Sequence, residues 1–144
     1  MSQLSLCILS VFLSLVSFVT KNIEKSFLQN NPRLLLSLLS ADTPINISLP
    51  EPISFSDEVS GQQAYFLFKQ IFQTYTTFEF FPEISAPPSL EKGRFIFKAS
   101  WSFYNKNLNQ VRFRIYFYVR AEPGPSSKAG DLWKIAEIKA ERLY

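Results

Sequence analysis

The chain of 144 residues has no histidine, one cysteine and only four glycines. Without histidine there is no imidazole general base, no Ser-His-Asp or Cys-His nucleophile system, and none of the usual zinc ligand sets. The lone thiol, Cys7, lies inside the first apolar run, so no disulfide framework exists and the compartment cannot be read from cysteine pairs. Gly61, Gly93, Gly124 and Gly130 never cluster, which excludes a glycine-rich phosphate loop. Neither cofactor nor metal is expected.

Aromatics, by contrast, are abundant. They make up 16% of the chain, and phenylalanine alone occurs fifteen times. Each buried ring removes a large apolar area from water, so a chain of this length can build a core without staples. Charge is unevenly placed. Residues 1–91 hold four basic and eight acidic side chains, a balance of −4; residues 92–144 hold eleven and four, a balance of +7. The basic half either faces something acidic or carries Lys and Arg as solvated sheet residues.

Leu4 to Val19 is apolar apart from serines and carries no charge until Lys21. Sixteen residues are short for a membrane span, which needs about twenty, and suit the apolar region of an export signal. The segment before it has no Lys or Arg, and Val16-Ser17-Phe18-Val19-Thr20 offers no clean small-x-small cleavage site. Three readings follow: a cleaved signal over residues 1–20, an uncleaved signal anchor, or a first helix belonging to the fold. Export is the expectation, to a periplasmic, cell-envelope or secreted location, with a single domain over 21–144. Contact with a membrane is expected only through residues 4–19 if they are retained.

Val19, Ile23 and Phe27 recur every fourth residue, a helical stripe. Asn30-Asn31-Pro32 ends that helix and opens another, with Asn31 as N-cap and Pro32 at the first helical position. Leu34, Leu35, Leu36, Leu38 and Leu39 follow, then Ala41-Asp42-Thr43-Pro44 ends it. Ile45 to Leu49 alternates as a short strand, and Pro50 and Pro52 confine its continuation to an edge or turn. Ser60-Gly61-Gln62-Gln63 has the form of a capping box, and Ala64, Leu67, Phe68, Ile71 and Phe72 share one helical face beyond it.

From Tyr75 the period becomes two. Phe78 and Phe80 are expected on one face and Thr77 and Glu79 on the other, with Pro82 closing the strand and a loop over 82–92. Two long strands follow, Phe95–Tyr104 and Val111–Ala121, joined by an Asn105–Asn109 turn; each has a Phe-rich and a polar face. A Pro/Gly/Ser-rich hairpin loop over 122–130 leads to the last strand, Trp133–Ala140. There the apolar phase slips between Ile135 and Ile138, which predicts a bulge.

Helix, short helix, short strand, capped helix and a four-stranded meander resemble the nuclear transport factor 2-like superfamily. The residues carrying the likeness are the Asn30-Asn31-Pro32 break with Leu34–Leu39, the Ser60–Ala64 helix start, and the Phe95–Tyr104, Val111–Ala121 and Trp133–Ala140 strands, over roughly residues 19–144. The resemblance, which extends to small exported bacterial members of unknown function, implies an α+β fold. In it, N-terminal helices pack on a curved, mostly antiparallel sheet of four to five strands, an architecture also described as cystatin-like. Ketosteroid isomerase-like and polyketide cyclase-like members work with Asp, His or Tyr inside the cone. This chain has no such set, so the resemblance does not imply their activity here.

Two surfaces can carry function. The face bearing Lys98, Ser100, Ser102, Arg112, Arg114, Tyr116, Tyr118 and Arg120 combines residue types favoured at protein interfaces; Tyr and Arg are also good strand formers on a solvated face. Lys98, Arg112, Arg114, Tyr116 and Tyr118 are the candidate partner residues, with a homodimer or a protein partner as occupant; nucleic acid is disfavoured by export and by the lack of a recognition motif. The second surface is an apolar cavity lined by Phe97, Trp101, Phe113 and Phe117, with Glu79 as a carboxyl set among aromatics whose pKa burial would raise. The first gives a non-catalytic exported binding or scaffold domain. The second gives a small apolar ligand carrier or an isomerase/cyclase-type enzyme.

Overall fold

The computed structural model describes residues 3–83, 93–122 and 133–144. The chain runs α1 (Gln3–Leu28), α2 (Pro32–Ser37), β1 (Ile45–Leu49), β2 (Phe55–Val59), α3 (Gly61–Thr74), β3 (Thr76–Glu83), β4 (Arg94–Tyr104), β5 (Gln110–Ala121) and β6 (Trp133–Leu143). All six strands form one sheet in the order β2-β1-β6-β5-β4-β3. Every pairing is antiparallel except β1 with β6. The three helices supply the other layer, so the fold is α+β as expected, with one strand more than the upper expectation. The added strand is β2. Its Ser56, Asp57 and Glu58 are exposed and only Val59 is buried, so it carries no alternating apolar signal, and it lies at the edge of the sheet.

Local rules explain the helix ends. The Asn31 side chain accepts a hydrogen bond from Leu34 N at 3.1 Å, with Pro32 at the first helical position. Ser60 Oγ accepts from Gln63 N at 3.1 Å while Gln63 Oε1 accepts from Ser60 N at 2.9 Å, the full capping box. Gly61 suits its place because a Cβ there would come within 3.1 Å of the Ser40 carbonyl oxygen. In the β4–β5 turn, Asn105 Oδ1 accepts from the backbone of both Asn107 and Asn109, and Leu108 takes a positive φ of 60°.

Two bulges set which side chains face inward. Glu137 pairs with Tyr118 and Ile135 with Val119, which leaves Ala136 as the extra residue between Ile135 and Ile138. A second bulge, in β3, was not anticipated. Thr77 pairs with Phe103 and Glu79 with Ser102, so Phe78 is the extra residue. Phe78 therefore points outward and stacks on Tyr104 at 4.5 Å, while Thr77 and Phe80 are buried. Strand β3 also continues through Pro82 to Glu83, which its edge position allows. The loops expected after Glu83 and Glu122 lie outside the described residues.

Helix α1 is continuous from Gln3 through the expected boundary at Thr20. Val19, Ile23 and Phe27 are fully buried, and Val16 packs against the same core. Among the described residues, no helix is long and apolar enough to cross a membrane.

Candidate functional site

The two long strands divide the sheet into an inner and an outer face. Register pairs Phe97 with Phe117 and Trp101 with Phe113, all directed at the helices, and Lys98 with Tyr116 and Ser100 with Arg114, all directed away from them. Side chains directly opposite one another on antiparallel strands share a face, so each pairing fixes a row across the sheet.

On the inner face, the four aromatics expected to line a cavity are brought together, and a ring from α1 packs against two of them. Phe27 of α1 lies 5.0 Å from Trp101 and 5.6 Å from Phe117, both edge-on, and contacts Phe68, Phe72 and Phe80 as well. Trp101, Phe113 and Phe117 are fully buried and Phe97 nearly so. Glu79 is not among them. Its pairing with Ser102 places it on the outer face, in the row that also holds Arg112, and half-buried. The carboxyl group and the aromatic set are on opposite sides of the sheet. The polar contact of the interior is instead Trp101 Nε1 donating to Thr77 Oγ1 at 2.8 Å, which satisfies the indole.

The outer face holds a linked set of charges. Glu83 at the end of β3 accepts from Arg114 Nε at 3.2 Å and pairs with Lys98 at 3.5 Å. Arg114 also reaches Glu141 of β6 at 3.5 Å, and Tyr116 donates its hydroxyl to the same carboxylate at 3.0 Å. The hydrogen bond to Glu83 and its charge hold the Arg114 guanidinium above its usual pKa. Desolvation first, then the bond to Glu141, raises Tyr116 above the usual tyrosine range. Arg112 Nε donates to the buried Ser102 Oγ at 3.3 Å. Lys98, Arg112, Arg114, Tyr116 and Tyr118 thus share one surface, as the alternation predicts.

Three participants, Glu83, Glu141 and Phe81, were not placed on this face by the sequence, whereas the alternation of β4 already put Ile96 there. Glu83 and Glu141 come from other strands, and only the register reveals that they neutralise Arg114. The apolar members are Phe81, 59% exposed, and Ile96, 53% exposed, which flank the charged set. Phe81 shares the outer face with Glu79, but its place beside the charged set was hidden because the strand was expected to close at Pro82 and instead runs on to Glu83.

Two clefts lie elsewhere. One of about 240 Å³ sits between β2 and the end of α3, lined by Phe55, Leu67, Ile71 and Tyr75. An open one of about 530 Å³ is bordered by Asp42, Thr43, Asp57 and Glu58. Neither touches the expected cavity residues. No group of three or more metal-ligating side chains occurs among the described residues.

No protein-family model matches the chain, and no curated protein does. Solved structures do match. A ketosteroid isomerase-like protein from Erwinia carotovora atroseptica aligns with a TM-score of 0.66 at 11% identity, over 91% of this chain and 95% of that one. A DUF4783 family protein from Bacteroides uniformis aligns with 0.62 at 13% identity, over 86% and 96%. A nuclear transport factor 2-like protein from Rhodospirillum rubrum, of unknown function in nutrient uptake, aligns with 0.61 at 11% identity, over 90% and 98%. At these identities the likeness establishes the architecture alone.

Proposed function

We propose that this chain, which has the nuclear transport factor 2-like fold, is an exported, non-catalytic binding or scaffold domain that assembles as a homodimer through the outer face of its sheet. The observation that carries this reading is the composition of that face. Exposed Phe81 and Ile96 flank a network in which Glu83, Lys98, Arg114, Glu141 and Tyr116 interleave both signs of charge. A two-fold interface needs a surface complementary to itself, and a mixed-sign patch beside apolar side chains meets that need. Export rests on the uncharged run from Leu4 to Val19.

The non-catalytic part of the reading rests on chemistry. The chain has no histidine, and its candidate carboxyl group, Glu79, is separated by the sheet from the aromatic interior. A ligand carrier built on Phe97, Trp101, Phe113 and Phe117 would have to accommodate Phe27, whose ring packs edge-on against Trp101 and Phe117.

Light scattering across a range of protein concentrations tests the assembly. The expected result is a dimer in the wild type and a monomer in Ile96→Asp and in Arg114→Glu combined with Tyr116→Ala. A wild-type monomer at every concentration would overturn it. Mass spectrometry of the mature protein from its native host reports on export through removal or retention of the N-terminal run.

A further inference from the structure

At one end of the same face, the register aligns three cations in a single row. Arg94 of β4 is directly opposite Arg120 of β5, and Arg120 is directly opposite Lys134 of β6. Like charges facing one another across strands are destabilising. Protection of an exposed sheet edge can account for Arg94 and Lys134, since among the described residues the β3 pairing stops at Lys98 and the β1 pairing covers only Glu137–Lys139, but not for Arg120, which is paired on both sides. A few residues along, the same strands neutralise their cations, Lys98 with Glu83 and Arg114 with Glu83 and Glu141. No ion pair among the described residues involves Arg94, Arg120 or Lys134.

Two of the three are held in place without being neutralised. Arg120 Nη2 donates to Thr43 Oγ1 at 2.8 Å, and Lys134 Nζ donates to the Ser37 carbonyl at 2.9 Å. Glu122, two residues beyond Arg120, is engaged by the hydroxyl of buried Ser40. Neighbouring strands lie about 4.8 Å apart, so the row spans roughly 10 Å at the backbone. Two arginines and a lysine at consecutive register positions suit a compact anion with several negative charges, which guanidinium forks and an ammonium can all reach.

The geometry points to an oxyanion site formed by Arg94, Arg120 and Lys134 that takes a phosphoryl ligand carrying more than one negative charge. Its cations are outside the Glu83–Glu141 network, in the row next to Ile96 and Tyr118 on the same face. A ligand there relieves the repulsion along the row, so binding and stability are coupled.

The probe is inorganic pyrophosphate, titrated into the folded protein in a phosphate-free buffer and followed by calorimetry and by backbone amide shifts. Saturable binding is expected, with shifts confined to the row and the residues that hold it, Ser37 and Thr43. Arg94→Gln, which removes no hydrogen bond among the described residues, and Arg120→Gln should each weaken binding roughly tenfold, the loss of one charge-assisted contact. Lys106→Gln, in the exposed turn at the opposite end of β4 and β5, should bind as wild type. Absence of saturable binding would overturn the site, as would equal weakening by Lys106→Gln, which marks a diffuse field. Retention on phosphatidylglycerol vesicles without any response to pyrophosphate would also overturn it, in favour of a lipid surface. Light scattering on the same samples separates this outcome from failure of the dimer.

Discussion

The ring of Phe27, near the end of α1, stacks on the ring of Phe80 in β3 with centroids 4.9 Å apart and planes 29° from parallel. Helix and edge strand are thereby joined through one side chain that also touches Phe68 and Phe72 of α3 and Trp101 and Phe117 of the central strands. These rings form one packed cluster linking both layers.

Phe27→Ala should destabilise the fold by about 3–5 kcal/mol, the usual range for deleting a buried ring whose surroundings relax only partly. Phe27→Leu should cost less. Urea unfolding followed by tryptophan fluorescence measures both, since Trp101 is a direct neighbour. If the alanine variant keeps its fold, it also tests the cavity: apolar dyes that ignore the wild type should bind it.

Thr77→Val should cost about 1–3 kcal/mol although it preserves shape and volume. The indole N–H of fully buried Trp101 has Thr77 Oγ1 as its partner, and an unsatisfied buried donor carries its full desolvation penalty. Thr77→Ser, which keeps the acceptor, should recover most of the loss. The comparison by urea unfolding separates the hydrogen bond from the packing of the methyl group.

Which parts of this were readable beforehand follows from how local each determinant is. The Ser60–Gln63 box, the Asn31-Pro32 helix start and the slip between Ile135 and Ile138 depend on neighbours in sequence, and each is found where the residues place it. The β3 bulge has no local mark. Thr77-Phe78-Glu79-Phe80 alternates perfectly, and the bulge breaks that alternation at Phe78, so that Thr77 can meet Trp101 while Phe78 meets Tyr104. Strand β2 escaped for the opposite reason, since an exposed edge strand needs no apolar period. The pairing of Arg114 with Glu83 and Glu141 spans residues 31 and 27 positions away, and only the strand order brings them together.

Removal of the N-terminal run has a calculable consequence. Val19 is fully buried and Val16 packs on the same core, yet both precede Lys21. A chain starting at Lys21 should be less stable than one starting at Val16 by about 1.5–3 kcal/mol or more, the value of at least one buried aliphatic side chain. Thermal unfolding of the two chains checks this. Equal stability would show that residues before Lys21 contribute nothing to the core.

Tyr116 gives the fold an alkaline limit. Desolvation disfavours its phenolate, and the hydroxyl donated to Glu141 Oε1 at 3.0 Å stabilises the neutral form further, while nearby Arg114 opposes these effects more weakly. Its folded pKa therefore lies above its unfolded one. A group raised in this way binds its proton more tightly in the native state. The stabilisation is complete below the ordinary tyrosine range and disappears as pH rises through the higher folded value. Ultraviolet titration of the folded wild type should show a late-ionising phenol that Tyr116→Phe removes and Glu141→Gln moves to lower pH. Across the same alkaline window the melting temperature of Tyr116→Phe should fall less steeply than that of the wild type. Parallel curves would mean that the Tyr116–Glu141 contact does not persist in solution.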